Sequence, residues 1–431
     1  MSKNVTVIGA GFSGLVAAWS LSRKGYLVTV IERSSVPGGL IGTFDIDGFK
    51  VETAANGLLS SKLVEELFED CAVPIIAAQR TAKKRYLWVD GEVTRWPLQF
   101  AESVRLGVGL IAVLVFKLFR AKPEESLLDW GSRAFGKAFA EKVLATGVWG
   151  IFASPAATLS ASLITRRFFT RPTSEDVKRA RRRGRYRGTV SAAGGMGQLI
   201  SGLHKRLEAS GVVFKFGEDG EHVLRSALEG SVSSKGESTG WIIVATSAKQ
   251  AGSLLGSFPL FSKQVSNLAA ISMLTLISIG IHFSRPAKRI GFGTLFSQDG
   301  KVGGSNDGIL GALQNSVIFS GRCGKETSSE TWILGGQDYG ERFLNLSDDE
   351  LLQLVLKKRR GVLGEEEPEI LGFRVTRWPH AIPHFGKNLE RTQFELNKPI
   401  GPVVLFGNYL GEIGLRSILE QAESLPSKFR T

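Results

Sequence analysis

The spacing of apolar residues along this chain changes several times, and each change marks an element. Val5 to Ile8 is a short apolar run that meets a glycine turn; Leu15 to Arg23 repeats apolar residues at helical spacing, and Tyr26 to Ile31 is a second run. The pattern predicts strand, helix, strand. Phe49 to Leu59 reads as a short strand entering a loop, Ser61 to Cys71 as a helix, and Tyr86 to Val93 as a hairpin closed at Asp90-Gly91. From Ala101 to about Phe169 the pattern is helical, including Ser126 to Phe135 and Phe139 to Trp149, and strand-like alternation then returns. Met196 to Ala209 is an amphipathic helix after Gly194-Gly195, and Trp241 to Thr246 is a buried strand ending in small residues. Leu274 to Phe283, Ile309 to Phe319 and Thr331 to Leu334 read as strands of a separate sheet, broken by glycine-rich turns. Val403 to Tyr409 is a last strand, followed by a helix from about Gly414 to Leu425.

The fold expected is mixed α/β with three parts. One is discontinuous, built from residues 1–85, 190–255 and 370–431; a second, a mixed sheet, uses 86–100 and 256–369; a helical part covers 101–189. The first part opens with a nucleotide fingerprint. Gly9 permits a tight turn, Gly11 lets a pyrophosphate approach the backbone, and Gly14 lets the helix pack closely on the strand. Glu32, at the end of the second strand, is placed to bind ribose hydroxyls and would repel a 2′-phosphate, which disfavours NADP. The first part is therefore Rossmann-like, with the anion at a helix N-terminus.

At 431 residues, 43% hydrophobic, the chain can bury a large core. Cys71 and Cys323 are its only cysteines, too few for a disulfide framework or a thiolate metal site. His380 and His384 stand at i and i+4, but Pro379 and Pro383 forbid the helix that would bring them together, so no metal is expected. The net charge of +13 is concentrated: between Arg166 and Arg187 ten cations face two acids and supply +8 of it. This run reads as a solvated loop, or as a patch for anionic lipid. Nucleic acid is not expected, because no recognition module surrounds it.

No secretory signal precedes the first strand, so the expected location is cytoplasmic. The apolar run Leu106 to Phe116, bracketed by Arg105 and Lys117, would form a helix about 16 Å long, roughly half a bilayer core. It suits either a buried core helix or a helix lying in one leaflet. The cationic brackets, the continuation Lys117-Leu118-Phe119-Arg120 and the basic run tilt the reading toward a monotopic, peripheral contact with the inner membrane.

Several ordered blocks carry a resemblance. After Glu32, the continuation Arg33-Ser34-Ser35-Val36-Pro37-Gly38-Gly39 resembles the extended fingerprint of FAD proteins of the amine oxidase superfamily. Lys84 to Gly91, Trp149 to Ala153 with Leu159-Ser160, and Gly194 to Leu199 are similar to blocks of its oxygen-dependent porphyrinogen oxidase family. So are Gly291 to Leu295, Ile309 to Gly311 with Phe319 to Arg322, Leu334 to Gly336, Arg377 to Pro379 with Ile382-Pro383, and Phe406 to Tyr409. The resemblance implies FAD held by Gly9, Gly11, Gly14, Glu32, Arg33, Gly38, Gly39, Gly407 and Asn408. It implies a six-electron oxidation of protoporphyrinogen IX in heme biosynthesis, by hydride transfer to flavin N5 with molecular oxygen as acceptor. No catalytic side chain is then required. Coproporphyrinogen III is the close variant; an isoprenoid or amine substrate, or a flavin-free lipid-binding escort, are the other readings.

By the same resemblance Phe292, Leu295 and Ile333 pack on the macrocycle and Asn56 lies where flavin and substrate meet. The chain also departs from the family pattern. Ala101 stands where many members carry the substrate-binding arginine, leaving Arg95 or Arg105 as substitutes; Ala54-Ala55 replaces a Gly-Pro pair, and Leu40 replaces a basic residue. The partners expected are a porphyrinogen, oxygen, a membrane surface and a second copy of the chain in a homodimer.

Overall fold

In a computed structural model the described residues are all except 1–2, 170–174, 231–239, 288–289, 298–306, 364–367, 412 and 430–431. The strands in chain order begin with β1 (Asn4–Ile8), β2 (Leu27–Glu32), the hairpin β3 (Thr43–Ile46) and β4 (Phe49–Glu52), β5 (Leu58–Leu59) and β6 (Ile75–Ala77). They continue with β7 (Arg85–Val89), β8 (Glu92–Thr94), β9 (Thr189–Ala192), β10 (Val213–Phe216) and β11 (Trp241–Val244). The remainder are β12 (Met273–Phe283), β13 (Gly293–Phe296), β14 (Ile309–Leu313), β15 (Ser328–Gly335), β16 (Ile370–Pro383) and β17 (Val403–Leu405).

A five-stranded sheet of order β10-β2-β1-β11-β17 is parallel throughout. Its strands come from the beginning, middle and end of the chain. They read as short apolar runs because helices cover both faces. Val5, Val7, Val28 and Val30 pack against Leu15, Trp19 and Leu203 on one side; Ile8, Ile242 and Val244 pack against Ala248, Leu255 and Leu405 on the other.

The second sheet has seven strands in the order β16-β12-β15-β14-β13-β7-β8, antiparallel except where β13 runs beside β7. Ile277, Ile279, Ile281 and Phe283 of β12, with Trp332 and Leu334, pack on Leu351, Val355 and Leu356 of the helix Asp348–Leu363. Glu330 pairs with Arg359 inside this layer at 3.1 Å. Alternation then turns Leu276, Ser278, Gly280 and His282 to the opposite face, toward the first domain. Residues 370–383, expected with the cofactor segments, instead form β16, which pairs along β12 from Phe283 to Met273. Residues Asn315–Ile318, expected to continue the Ile309 strand, turn into a short helix.

The basic segment is not a free loop where it is described; Arg171 lies outside the described residues. Arg167 and Arg181 converge on buried Glu420 at 3.3 and 3.1 Å, together with Arg416 at 3.2 Å. Glu65 accepts from the backbone amides of Arg185 and Tyr186 at 2.8 and 2.7 Å. Partial burial works against the Glu65 carboxylate, but those two amides, the Ser60 hydroxyl and the Arg185 charge outweigh it and hold its pKa below the usual value. A depressed folded pKa gives stabilisation that is present above the ordinary carboxylate pKa and lost as pH falls through the folded one. The protection factors of the Arg185 and Tyr186 amides, taken against the intrinsic exchange rate at each pH, should therefore fall on acidification, and Glu65→Gln should lower them already at neutral pH. Unchanged protection in that variant would show that the carboxylate does not clamp the segment.

Candidate active site

Two glycine turns meet at the end of β1. Gly9, with φ +106°, donates its N–H to Ile31 O at 2.8 Å, and a Cβ there would press on the Ala245 carbonyl at 3.1 Å. A Cβ on Gly14 would overlap the Gly9 carbonyl oxygen, so the helix Phe12–Arg23 reaches this depth only with glycine. Gly38 donates to Ala10 O at 2.9 Å and bridges Gly11, and a Cβ on Gly39 would stand 3.1 Å from Gly11 Cα. The helix N-terminus carries no side-chain cap and no acid in its first turn, so its leading N–H groups are left for an anion.

Glu32 is held in place rather than free. Its Oε2 accepts from Ala10 N at 2.7 Å, and its Oε1 accepts from Ser34 N and Oγ, both at 2.8 Å. Each oxygen keeps lone-pair capacity for a diol. Arg33 beside it is exposed. Gly407 joins the cradle through Thr246, whose carbonyl lies 3.5 Å from where a Gly407 Cβ would stand, while its methyl faces Gly9. Asn408 follows, half-buried, and then Tyr409, whose hydroxyl is fully buried without a partner. Burial raises the Tyr409 phenol far above its usual pKa and keeps it neutral.

From this cradle the chain passes to the second sheet through Thr53. Its hydroxyl donates to Leu40 O at 2.7 Å and accepts from Gly42 N at 2.8 Å, and its carbonyl accepts from Trp378 Nε1 at 2.7 Å. One residue earlier, Glu52 pairs with Arg322 at 3.1 Å, both almost fully buried. Ala54, Ala55 and Asn56 follow, and Asn56 Nδ2 makes only a long 3.4 Å bond to Ala54 O. Gly57 lies against Phe319.

The register of the second sheet aligns one transverse row on the face toward Thr53: Thr376, Ser278, Ile333, Gly311, Leu295, Leu87 and Thr94. Leu295 and Ile333 thus lie on one face, separated by a glycine. The helix Ala145–Phe152 closes over them, with Gly150 against Leu295 Cδ2. Phe292 packs outside this row, with Phe319, Ile318 and Leu313. Arg95 is exposed just past edge strand β8, and Ala101 is exposed on the first turn of the next helix. Sequence reasoning missed Arg85. It shares the row face with Leu87, and its guanidinium stacks 4.8 Å over Phe292. Alternation alone pairs Arg85 with Leu87, but only the β13–β7 register brings it beside the Leu295 row.

The sequence profile of flavin containing amine oxidoreductases matches residues 12–415. The chain belongs to this family. It is a FAD-dependent oxidoreductase, and the cradle fits that cofactor: glycines where any Cβ would collide, an uncapped helix N-terminus, an oriented carboxylate and an orphaned hydroxyl. The mitochondrial protoporphyrinogen oxidase of Nicotiana tabacum is 24% identical over 92% of this chain and 88% of its own length. A phytoene dehydrogenase of Streptomyces griseus is 45% identical, but over 15% of this chain and 13% of that enzyme. Among solved structures, an Exiguobacterium sp. 255-15 protein provisionally named a protoporphyrinogen oxidase superposes with a TM-score of 0.72 at 15% identity, covering 100% of both chains. That likeness shows the fold of this amine oxidoreductase and nothing of its substrate.

Proposed function

We propose that this amine oxidoreductase oxidises a porphyrinogen, with protoporphyrinogen IX first and coproporphyrinogen III as the variant. The observation that carries the reading is the transverse row: Ser278, Ile333, Gly311, Leu295 and Leu87 form a flat, mainly apolar strip beside the flavin-side segment Thr53 to Asn56. A planar hydrocarbon-rich ring suits it, and Arg85 at its rim supplies a cation for a propionate. A pure hydrocarbon would need no such cation. The row offers no carboxylate for an ammonium group, which disfavours an amine. When bound, FAD supplies a two-electron acceptor that oxygen can reoxidise. The protein residues position the ring: Leu295 and Ile333 set its plane, Asn56 borders the flavin side, and the Ala145–Phe152 helix excludes water.

Protoporphyrin fluorescence should rise when the holoenzyme meets protoporphyrinogen IX in air. Arg85→Met should raise KM about tenfold or more while leaving kcat near wild type, because it removes binding energy common to ground and transition states. An unchanged KM would return the propionate to another cation, Arg95 first.

The enzyme is also proposed to sit on a membrane surface through the helix Phe100–Leu114. Its buried side is Leu106, Gly109 and Val113. Its outward side is apolar throughout: Phe100 is 86% exposed, Val104 51%, Val108 64% and Ile111 55%, with Val115 at 66% just beyond. No charged residue interrupts this arc of about 80°. Arg105 flanks the arc, and Lys117, Arg120 and Lys122 follow it, as a helix lying in the headgroup layer requires. Among the described residues no helix is long and apolar enough to cross a membrane. The double change Val108→Glu and Ile111→Glu should abolish cosedimentation with anionic vesicles, since each lost apolar side chain is worth about 1.5–3 kcal/mol of burial. Flavin absorbance should stay intact. Retained binding by that variant would sink the assignment.

A further inference from the structure

The slot face of the second sheet carries a cluster of polar atoms that the flavin site does not use. Along β12 this face shows Ser278, Gly280 and His282, and opposite them on β15 lie Ile333, Thr331 and Ser329. Ser278 Oγ, Ser329 Oγ and His282 Nε2 are buried without a hydrogen-bond partner. So is Oδ1 of Asn315, whose Nδ2 donates to Thr331 Oγ1 at 2.6 Å. Ser278, Asn315, Thr331 and Ser329 are all more than nine-tenths buried. Buried polar groups in folded proteins are almost always paired, by protein or by ordered water.

The layer above them is the β3–β4 hairpin. Val51 fills the place a Gly280 side chain would take, and Phe49 stacks on His282 at 4.8 Å. Successive same-face residues along a strand are about 7 Å apart, too far for direct bonds, so a bridge between them takes one or two waters according to how the side chains lean. The charged groups nearby are engaged elsewhere: Arg374 stacks on Phe44, Lys50 pairs with Asp45, Glu52 pairs with Arg322, and Glu330 on the far face pairs with Arg359. His282 therefore has no carboxylate partner, and burial lowers its pKa, so near neutrality its ring can both accept and donate.

We propose that Ser278, Thr331, Asn315, Ser329 and His282 hold a chain of buried waters that carries protons between the slot and solvent at His282. Its use rests on the porphyrinogen reading. Each two-electron step breaks a bridging C–H bond, sends that hydrogen and both electrons to the flavin as hydride, and releases one proton; over the three steps two of these protons come from pyrrole N–H groups and one from the fourth bridging carbon. Reduction of oxygen to peroxide takes up one proton for each hydride, so protons leave and arrive in every cycle. An apolar slot without such a chain would strand them.

Two readouts test this. A high-resolution structure of the holoenzyme should show ordered water bonded to Ser278 Oγ, Asn315 Oδ1 and Ser329 Oγ; a dry layer overturns the proposal. Thr331→Val, with Ser329→Ala as the second variant should the first fail to retain flavin, should lower kcat about tenfold at unchanged KM and enlarge the solvent deuterium effect on kcat. Wild-type values for both overturn the proton role. Should no porphyrinogen reduce the wild-type flavin, the substrate reading fails, and the water structure still decides whether the chain exists.

Discussion

Gly14→Val is expected to yield a colourless protein, or none that folds. Any side chain at this position overlaps the Gly9 carbonyl, and Gly9 is itself fixed by its bond to Ile31 O and its contact with Ala245. The helix must then lift from the sheet, carrying away the N–H groups that would hold the FAD pyrophosphate. The cost exceeds the about 1–3 kcal/mol of ordinary overpacking, because both clashing groups are backbone. Purification in excess FAD, followed by visible absorbance and thermal melting, checks it; a yellow protein of wild-type stability would refute the role given to this glycine.

Arg322→Met should destabilise the protein by about 3–5 kcal/mol, since it leaves the Glu52 carboxylate buried without its countercharge. Glu52 also accepts from Thr43 Oγ1 at 2.6 Å and from Met196 N at 3.1 Å, and Arg322 donates to Ser191 Oγ at 2.6 Å. The pair thus locks β4, the Gly194-Gly195 turn and the Phe319 segment around the loop of residues 53–56. The double change Glu52→Leu with Arg322→Met should recover most of the loss, because two well-packed apolar groups carry no desolvation penalty. Burial raises the Glu52 pKa despite the Arg322 charge and its two hydrogen bonds. A raised carboxyl pKa means that the folded form holds its proton at higher pH than the unfolded chain, so this contribution to stability falls as pH rises through that window. Glu52→Gln and wild type should accordingly converge in stability as pH falls through the raised pKa. Denaturant unfolding at several pH values measures both effects.

The cradle was legible in the sequence because it is local. Gly9, Gly11, Gly14 and Glu32 lie within one strand, helix and strand unit, where spacing fixes geometry. Gly38-Gly39 became informative only through its likeness to the extended fingerprint, and the structure shows the pair packed on Gly11. The slot was far less legible. Leu295 and Ile333 share a row because β13, β14 and β15 pair in one register, and no local pattern states which residue of one strand faces which of another. The same reason hid Arg85, and it placed 370–383 with the wrong sheet. The basic segment misled as a loop because charge counts do not reveal the acids that receive it, half-buried Glu65 and buried Glu420. For the apolar helix, read from the sequence as a core helix or one lying in a leaflet, exposure of Phe100, Val108 and Ile111 excludes full burial in the core.

The most direct test of the substrate is anaerobic mixing of the yellow holoenzyme with protoporphyrinogen IX. The flavin should bleach, and admission of oxygen should restore its colour with porphyrin fluorescence and peroxide. A flavin that stays oxidised with both protoporphyrinogen IX and coproporphyrinogen III, yet bleaches with an amine or a polyene precursor, would contradict the account.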